Sequence, residues 1–298
     1  MKILCVWSPA EKSNYFLMTP KKYSFSGHES FSCKSLWLKK GFDFVANDID
    51  FNAPEAVVAL GVGKNMVSAI RFWMRAFSMT ENDTLTPLSY YLFDSESGKD
   101  PFMEDLGTLW LLHFHLVNSC EATLYNWFFL HFQKERKHFE RQHVVSFVHR
   151  KLTEYGKQNL YNENTVKKDV GVLLQNYIVP EKVQGLDDYS SLLLDLDLLR
   201  QSEGKSYVFN IEGKRRVPSE IFLYAILTMK GEDNTVSYDI LQDVGLLFCM
   251  NDMEVISMCR EIESNRPDSV KYSDTAGVRQ LLFIKNLNPL DILNEYYG

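Results

Sequence analysis

A His–Glu pair near the N-terminus is the first group of residues whose types could carry out acid–base chemistry. It lies in the segment Ser26–Phe31, where Gly27 precedes His28 and Glu29. An imidazole and a carboxylate can exchange protons with a substrate or hold a metal ion. Neighbouring residues face different ways on a helix, so Glu29 could equally be a carboxylate that favours a helix N-terminus. We expect His28 and Glu29 to be catalytic, with a structural role as the alternative.

A second glycine-bearing turn leads into a basic segment. Leu60–Asn65 resembles half of a Walker A loop, but Val58 stands at the first glycine position and Asn65 at the hydroxyl position. Both requirements for holding a nucleotide with magnesium therefore fail. Glycines before a helix still leave backbone N–H groups accessible to an anion. Lys64 is a third catalytic candidate, because it would stabilise charge on a phosphate there. We expect Lys64 to lie in one cleft with His28 and Glu29.

The segment that follows has a basic stripe. Lys64, Ser68, Arg71 and Arg75 are spaced i, i+4, i+7 and i+11, which places them on one face of a helix. Such a stripe fits contact with DNA phosphates, and the alternative is the solvated face of an ordinary amphipathic helix. The DNA-binding candidates in this half of the chain are Lys39, Lys40, Asn65, Arg71 and Arg75.

Two amphipathic segments flank Gly156. The first is Val144–Tyr155, and the second begins near Thr165 with Asn162 or Asn164 as its N-cap. Two helices joined by a short turn are typical of helix-turn-helix and winged-helix modules. We therefore predict a winged-helix-like module in the middle of the chain.

Three polar residues lie off the apolar face of the second helix, near its N-terminus. Thr165, Lys167 and Lys168 thus occupy the place where helix-turn-helix proteins contact DNA. The strand candidate Ser206–Ile211 could form part of a wing. These three residues complete the DNA-binding candidates, with a solvated charged face as the alternative.

Composition limits the class of protein. With 45% hydrophobic and 13% aromatic residues, the chain can bury a sizeable core. Its formal charge of −7 excludes a general nucleic-acid coat, so any DNA binding must come from local basic patches. The five cysteines form no C-x-x-C pair, which fits a reducing cytoplasm. No run approaches the roughly 18 apolar residues of a membrane span, so we expect no membrane partner.

The pattern predicts a mainly α protein with small β elements, in three units. They are an N-terminal helical domain over residues 1–136, a winged-helix-like module over 137–217 and a C-terminal helical region over 218–298. A helix is expected over Phe31–Lys40, and a closing strand over Leu281–Ile284. His113 and His115 are expected to be core or boundary histidines and not metal ligands, and we find no paired-carboxylate nuclease signature. Met1–Pro20 is expected to be a strand or an arm.

Five segments together resemble a known bacterial family. They are FSGHESFSCKSLWLKKG (Phe25–Gly41), AVVALGVGKNMVSAIRFW (Ala56–Trp73), NENTVKKDV (Asn162–Val170), PSEIFLYAIL (Pro218–Leu227) and DTAGVRQL (Asp274–Leu281). The chain resembles the SspB-like family of bacterial DNA phosphorothioation systems, formerly a domain of unknown function found beside PAPS-reductase-like proteins. The first segment departs from the family's pattern, because Ser30 and Ser32 stand where Thr and Pro are expected.

The resemblance implies a role in replacing a non-bridging phosphate oxygen of DNA by sulfur, in an anti-phage system. The implied partners are DNA, a cysteine desulfurase, a PAPS-reductase-like protein and an ATPase. The SspB-like member is understood to nick DNA, so we expect a nickase, with a non-catalytic winged-helix adaptor as the alternative. The resemblance assigns no catalytic residues. It leaves open whether Mg²⁺ or another divalent metal is needed and whether the protein is a homodimer.

Overall fold

The computed structural model describes residues 23–179, 190–275 and 277–298. The prediction of a mainly α protein is confirmed, since helices dominate and the strands form small antiparallel sheets. The expected strand or arm over Met1–Pro20 lies outside the described residues. Among the residues described, no helix combines the length and apolar character that crossing a bilayer requires.

Helices connected by short loops make up the N-terminal unit. They are α1 (Trp37–Ala46), α2 (Ala56–Leu60), α3 (Lys64–Ala76), α4 (Pro87–Phe93), α5 (Leu106–Asn118), α6 (Thr123–Trp127) and α7 (Gln133–Glu135). A π-helical turn, Phe128–Phe132, joins α6 to α7, and a small hairpin is formed by β1 (Thr80–Glu81) and β2 (Thr84–Leu85). The predicted basic helix is confirmed as α3, which begins at Lys64 directly after the N-cap residue Gly63.

The helix expected over Phe31–Lys40 is wrong in position, since α1 begins only at Trp37. Backbone groups at the start of the expected helix bond to distant residues instead, since the N–H of Cys33 donates to Oδ1 of Asn176 and that of Ser35 to the carbonyl of Ser190. The apolar spacing that suggested a helix comes instead from side chains of a looped segment that pack on the core.

The middle unit contains the predicted helix pair. Its elements are β3 (His138–Glu140), α8 (Arg141–Glu154), a 3₁₀ turn (Gln158–Leu160), α9 (Glu163–Tyr177), β4 (Leu199–Gln201) and β5 (Ser206–Phe209). Strand β5 lies between β3 and β4 and is antiparallel to both. Of the two N-cap candidates, the structure selects Asn162, whose Oδ1 accepts the backbone N–H of Thr165 at 3.0 Å.

The C-terminal unit has more β-structure than expected. Its elements are α10 (Ser219–Met229), β6 (Thr235–Ser237), α11 (Tyr238–Leu247), α12 (Asp252–Asn265), β7 (Val270–Thr275), β8 (Val278–Phe283) and α13 (Pro289–Tyr297). The expected closing strand is the end of β8, which lies between β6 and β7. Two strands were missed because β6 has only three residues and polar side chains obscure the alternation of β7.

One continuous buried core joins the three units. The C-terminal helix α13 packs on α10 and reaches back to α5, where the hydroxyls of Tyr297 and Thr108 lie 2.7 Å apart. The predicted boundaries, before residues 137 and 218, fall in connections that precede β3 and α10. That these units are separate domains stays a prediction.

Candidate nucleic-acid interface

His28 is fixed inside the protein by hydrogen bonds from both ring nitrogens. Its side chain is buried, with Nε2 2.9 Å from Oδ1 of Asp169 on α9. Nδ1 accepts the backbone N–H of Ser30 at 3.1 Å, so the ring proton belongs on Nε2, which donates to Asp169. In this arrangement no ring nitrogen of His28 is left to take a proton from a substrate.

Asp169 connects α9 to the looped segment at residues 24–35, here called the motif segment. The same Oδ1 also accepts the backbone N–H of Ser26 at 2.8 Å. A buried carboxylate needs such partners, because removing its charge from water is unfavourable. The turn around Gly27 and His28 is therefore anchored on α9.

A second buried polar residue of α9 continues this attachment. Asn176 lies two turns after Asp169, on the same side of the helix, and its Oδ1 accepts the backbone N–H of Cys33 at 3.0 Å. Its Nδ2 donates to the Tyr125 hydroxyl at 2.7 Å. The motif segment thus lies along α9 between these two residues.

Helix α3 contacts the motif segment from another side. The indole N–H of Trp73 donates to the carbonyl of Phe31 at 3.1 Å, and the Trp73 ring stacks on His28 at a centroid distance of 6.0 Å. A Cβ added at Gly27 would lie 2.3 Å from the ring of Phe72. The glycine is needed because the backbone passes directly over this ring.

The structure does not bring His28 and Lys64 into one cleft. The imidazole contacts Phe72 and Trp73, which follow Lys64 by two to three helical turns, or roughly 12 Å of helix axis. Lys64 is exposed at the start of α3, and Glu29 is exposed on the motif segment. The expected shared site of the three residues is therefore not formed, and their catalytic roles stay predictions.

The basic stripe of α3 is exposed at its N-terminal end, whereas its later residues are ion-paired or half-buried. Lys64 and Asn65 are exposed. Arg71 donates from Nε to Oδ1 of Asp83 at 2.9 Å, and this pairing raises the pKa of Arg71 and lowers that of Asp83. Arg75 is half-buried. Arg71 would have to leave its carboxylate partner to bind a phosphate, so it is a weaker DNA-binding candidate than its spacing suggested.

The other basic candidates of the N-terminal unit lie on α1. Lys39 pairs with Asp43 at 2.5 Å, and its ammonium also lies over the ring of Phe42. Lys40 is exposed.

The candidates on α9 lie in its first two turns. Lys167 pairs with Glu163 at 2.6 Å, Lys168 is exposed and Thr165 is half-buried. Successive helical residues are rotated by about 100°, so Lys168 faces solvent while Asp169 faces the motif segment. The two buried polar residues of α9 were missed in the sequence, although Asp169 and Asn176 interrupt its apolar face at a spacing of seven.

His113 is a core residue and His115 is a half-buried boundary residue. His113 bonds to the Tyr177 hydroxyl at 2.9 Å and to the Leu247 carbonyl at 2.6 Å, and burial lowers its pKa to about 4. His115 lies 3.0 Å from the Tyr224 hydroxyl, and burial lowers its pKa also to about 4. Within the described ranges, no group of three or more His, Cys, Asp or Glu residues is placed to hold a metal ion.

Comparison with known proteins agrees with this fold over nearly its whole length. A family described as a protein of unknown function, DUF4007, matches residues 25–297. No curated protein matches the chain. Two crystal structures of SspB, one of them bound to a magnesium ion, each match with a TM-score of 0.81 and 26% sequence identity. Each match covers 93% of this chain and 88% of SspB. The chain therefore belongs to the DUF4007 family and is similar to SspB.

Proposed function

We propose that this protein is the DNA-contacting component of a bacterial DNA phosphorothioate-modification system with an anti-phage role. The similarity to SspB over 93% of the chain supports membership in such a system. Its partners there would be a cysteine desulfurase, a PAPS-reductase-like protein and an ATPase. The contact with DNA rests on the middle unit.

The order of elements in the middle unit supports a winged helix. A strand, two helices and a hairpin follow one another, and the last strand lies between the other two. In helix-turn-helix proteins the second helix enters the major groove with its N-terminal residues against the bases and backbone. Here that helix is α9, and the β4–β5 hairpin takes the place of the wing.

The observation that carries the proposal is the charge distribution in the first turns of α9. Lys167 and Lys168 are exposed, and the one exposed acidic residue of these turns, Glu163, pairs with Lys167 at 2.6 Å, whereas Asp169 is used internally by His28 and Ser26. By bonding to Asp169, the motif segment keeps this carboxylate inside the protein and away from the surface that would meet DNA. In a chain of charge −7, such a local excess of cations is what attracts phosphate.

Reversing both lysines tests the contact. The double variant Lys167→Glu and Lys168→Glu should bind duplex DNA roughly 10-fold to 100-fold more weakly, with a salt slope smaller by about two, because two phosphate contacts are lost. The control variant Lys99→Glu and Lys285→Glu makes the same change in net charge at exposed positions elsewhere. An unchanged salt slope in the first variant, or an equal loss in the control, would contradict the proposal.

Nicking of one DNA strand is the activity we propose for the protein in this system, supported by the family resemblance. A non-catalytic adaptor is the second candidate, favoured by the full hydrogen bonding of His28. Supercoiled plasmid with and without Mg²⁺ distinguishes them through the open-circle product. Loss of that product in Glu29→Ala or Lys64→Ala with an unchanged melting temperature supports the enzyme. Absence of nicking by the unmodified protein, with DNA binding intact, supports the adaptor. We assign no metal ligand.

A further inference from the structure

The middle and C-terminal units repeat one order of elements. The middle unit runs β3–α8–α9–β4–β5, and the C-terminal unit runs β6–α11–α12–β7–β8. Their sheets have the orders β3-β5-β4 and β6-β8-β7, and all pairs are antiparallel. A helix precedes the first strand of each unit, α7 in one and α10 in the other. The C-terminal unit therefore has the same topology as the middle unit, although the sequence shows no repeat.

Equivalent capping residues fix the register between the second helices. Asn251 caps α12 as Asn162 caps α9, and each side chain accepts the backbone N–H three residues later, at 2.9 Å from Glu254 and 3.0 Å from Thr165. Starting from these caps, the apolar residues that face the core coincide. The matched buried pairs are Val166 with Val255, Val170 with Cys259, and Leu173 with Ile262.

In this register α12 lacks the cations of α9. Ile256 and Ser257 stand at the positions of Lys167 and Lys168. The first two turns of α12 contain two acidic residues, Asp252 and Glu254, and no basic one. DNA phosphates would be repelled from the end of the helix that contacts DNA in a winged helix.

The N-terminus of α12 is also occupied by the linker between the units, residues 210–218. Lys214 of this linker has a side chain only 3% exposed, and its Nζ donates to Oε1 of Glu254 and to the carbonyl of Ile211, both at 2.6 Å. The other carboxylate oxygen of Glu254 accepts the backbone N–H of Asn251 at 2.9 Å. One carboxylate therefore completes the helix cap and holds the linker.

The linker in turn contacts the base of the β4–β5 hairpin. The backbone N–H of Lys214 donates to the carbonyl of Asn210, and the Asn210 side chain donates to the carbonyl of Asp197 at 2.8 Å. Asp197 pairs with Arg200 of β4. A continuous chain of polar contacts thus runs from α12 to the hairpin of the middle unit.

We propose that the C-terminal unit is a second winged helix whose second helix does not contact DNA. Through the Lys214–Glu254 pair it instead fixes the base of the hairpin in the first. The inference rests on the proposed contact between α9 and DNA. It assigns Lys214 and Glu254 as positioning residues for that contact.

A matched pair of substitutions tests the difference between the two helices. Lys168→Glu and Ser257→Glu place the same residue at equivalent exposed positions. We expect Lys168→Glu to weaken duplex-DNA binding about tenfold and to reduce the salt slope by about one, and Ser257→Glu to leave affinity within twofold. Weakening by Ser257→Glu would overturn the inference alone. No effect of Lys168→Glu would contradict the proposed function and, with it, the asymmetry between the units.

A second pair tests the positioning role. Glu254→Gln retains a residue that can complete the cap but loses the charge opposite Lys214. Glu261→Gln is the control, because Glu261 pairs with Arg216 of the same linker at an exposed position, 2.7 Å away. In the full chain below its melting transition, Glu254→Gln should speed amide hydrogen exchange at residues 210–214 about tenfold and weaken DNA binding several-fold. The control should change neither. Unchanged exchange, or faster exchange with unchanged DNA affinity, would overturn the positioning role.

Discussion

His28 donates a hydrogen bond to Asp169 across 141 positions of sequence, and both side chains are almost fully buried. The bond joins a loop near the start of the chain to the helix proposed to contact DNA. Without the imidazole, the Asp169 carboxylate would lose one of its two buried donors. The His–Glu pair of the sequence is therefore, in the structure, a His–Asp pair.

Removing His28 should destabilise the fold. We expect His28→Ala to lower the free energy of unfolding by about 2–4 kcal/mol, because a buried carboxylate is left short of a partner. Urea denaturation measures this, with the exposed His149→Ala as control. A normal unfolding free energy combined with lost nicking would show instead that His28 acts in catalysis.

Gly27 and Gly63 should differ sharply in how much an alanine substitution destabilises the protein. Gly27→Ala would place a Cβ against the Phe72 ring and should destabilise the protein by about 2 kcal/mol or more. Gly63→Ala meets no atom within 4 Å and has a negative φ of −68°, so stability should change by less than about 0.5 kcal/mol. Thermal unfolding distinguishes them, and equal effects of the two substitutions would contradict the close approach at Gly27.

The free energy of unfolding should decrease as pH falls below neutrality because of His113 and His115. Burial lowers the pKa of His113 and of His115 to about 4, from an ordinary value of 6.5. Each is neutral in the folded state and takes up a proton more readily when unfolded. The contribution of each neutral histidine to the free energy of unfolding is therefore complete above pH 6.5 and is lost as pH falls toward 4. At pH 5 the loss should be about 2 kcal/mol per histidine.

Denaturant titrations at pH 7 and pH 5 measure this loss. In His115→Gln the difference between the two pH values should be smaller, since one titrating group is gone. His149→Gln, at an exposed position, should keep the full difference. An unchanged pH dependence in His115→Gln would contradict the assignment.

Arg71 should contribute to stability more than its neighbour on the same face. Arg71→Ala breaks the pairing with Asp83 and should lower the free energy of unfolding by about 1 kcal/mol, a modest value because both groups are partly exposed. Lys64→Ala should change it by less than about 0.5 kcal/mol. A double-mutant cycle of Arg71→Ala with Asp83→Ala isolates the pair, and a coupling energy near zero would contradict its role.

Local periodicity predicted the elements whose stability comes from an amphipathic face. Helices α3, α8 and α9 were recognised in this way, and the cap at Asn162 was one of two candidates. The end of the motif segment, residues 31–35, was predicted to be helical, but its backbone is held by hydrogen bonds to distant residues, which no local pattern reveals. Exposure of Lys167 and Lys168 followed from their place off the apolar face. The partner of His28 could not be predicted, because it lies on another element.

Because the motif segment is attached to residues far along the chain, the N-terminal unit cannot form all of its contacts until those residues have been synthesised. Ser32 and Cys33 find their partners only at Ser191 and Asn176, which are 159 and 143 residues later in the chain. As the chain leaves the ribosome, helices α1–α7 are made long before α9 and residues 190–192, which hold their first loop. A fragment that stops at residue 136 would leave the Cys33 N–H without the Asn176 oxygen that accepts it. Contacts between residues this far apart in the sequence form slowly. The N-terminal half should therefore remain protease-sensitive on the ribosome until residue 192 has emerged.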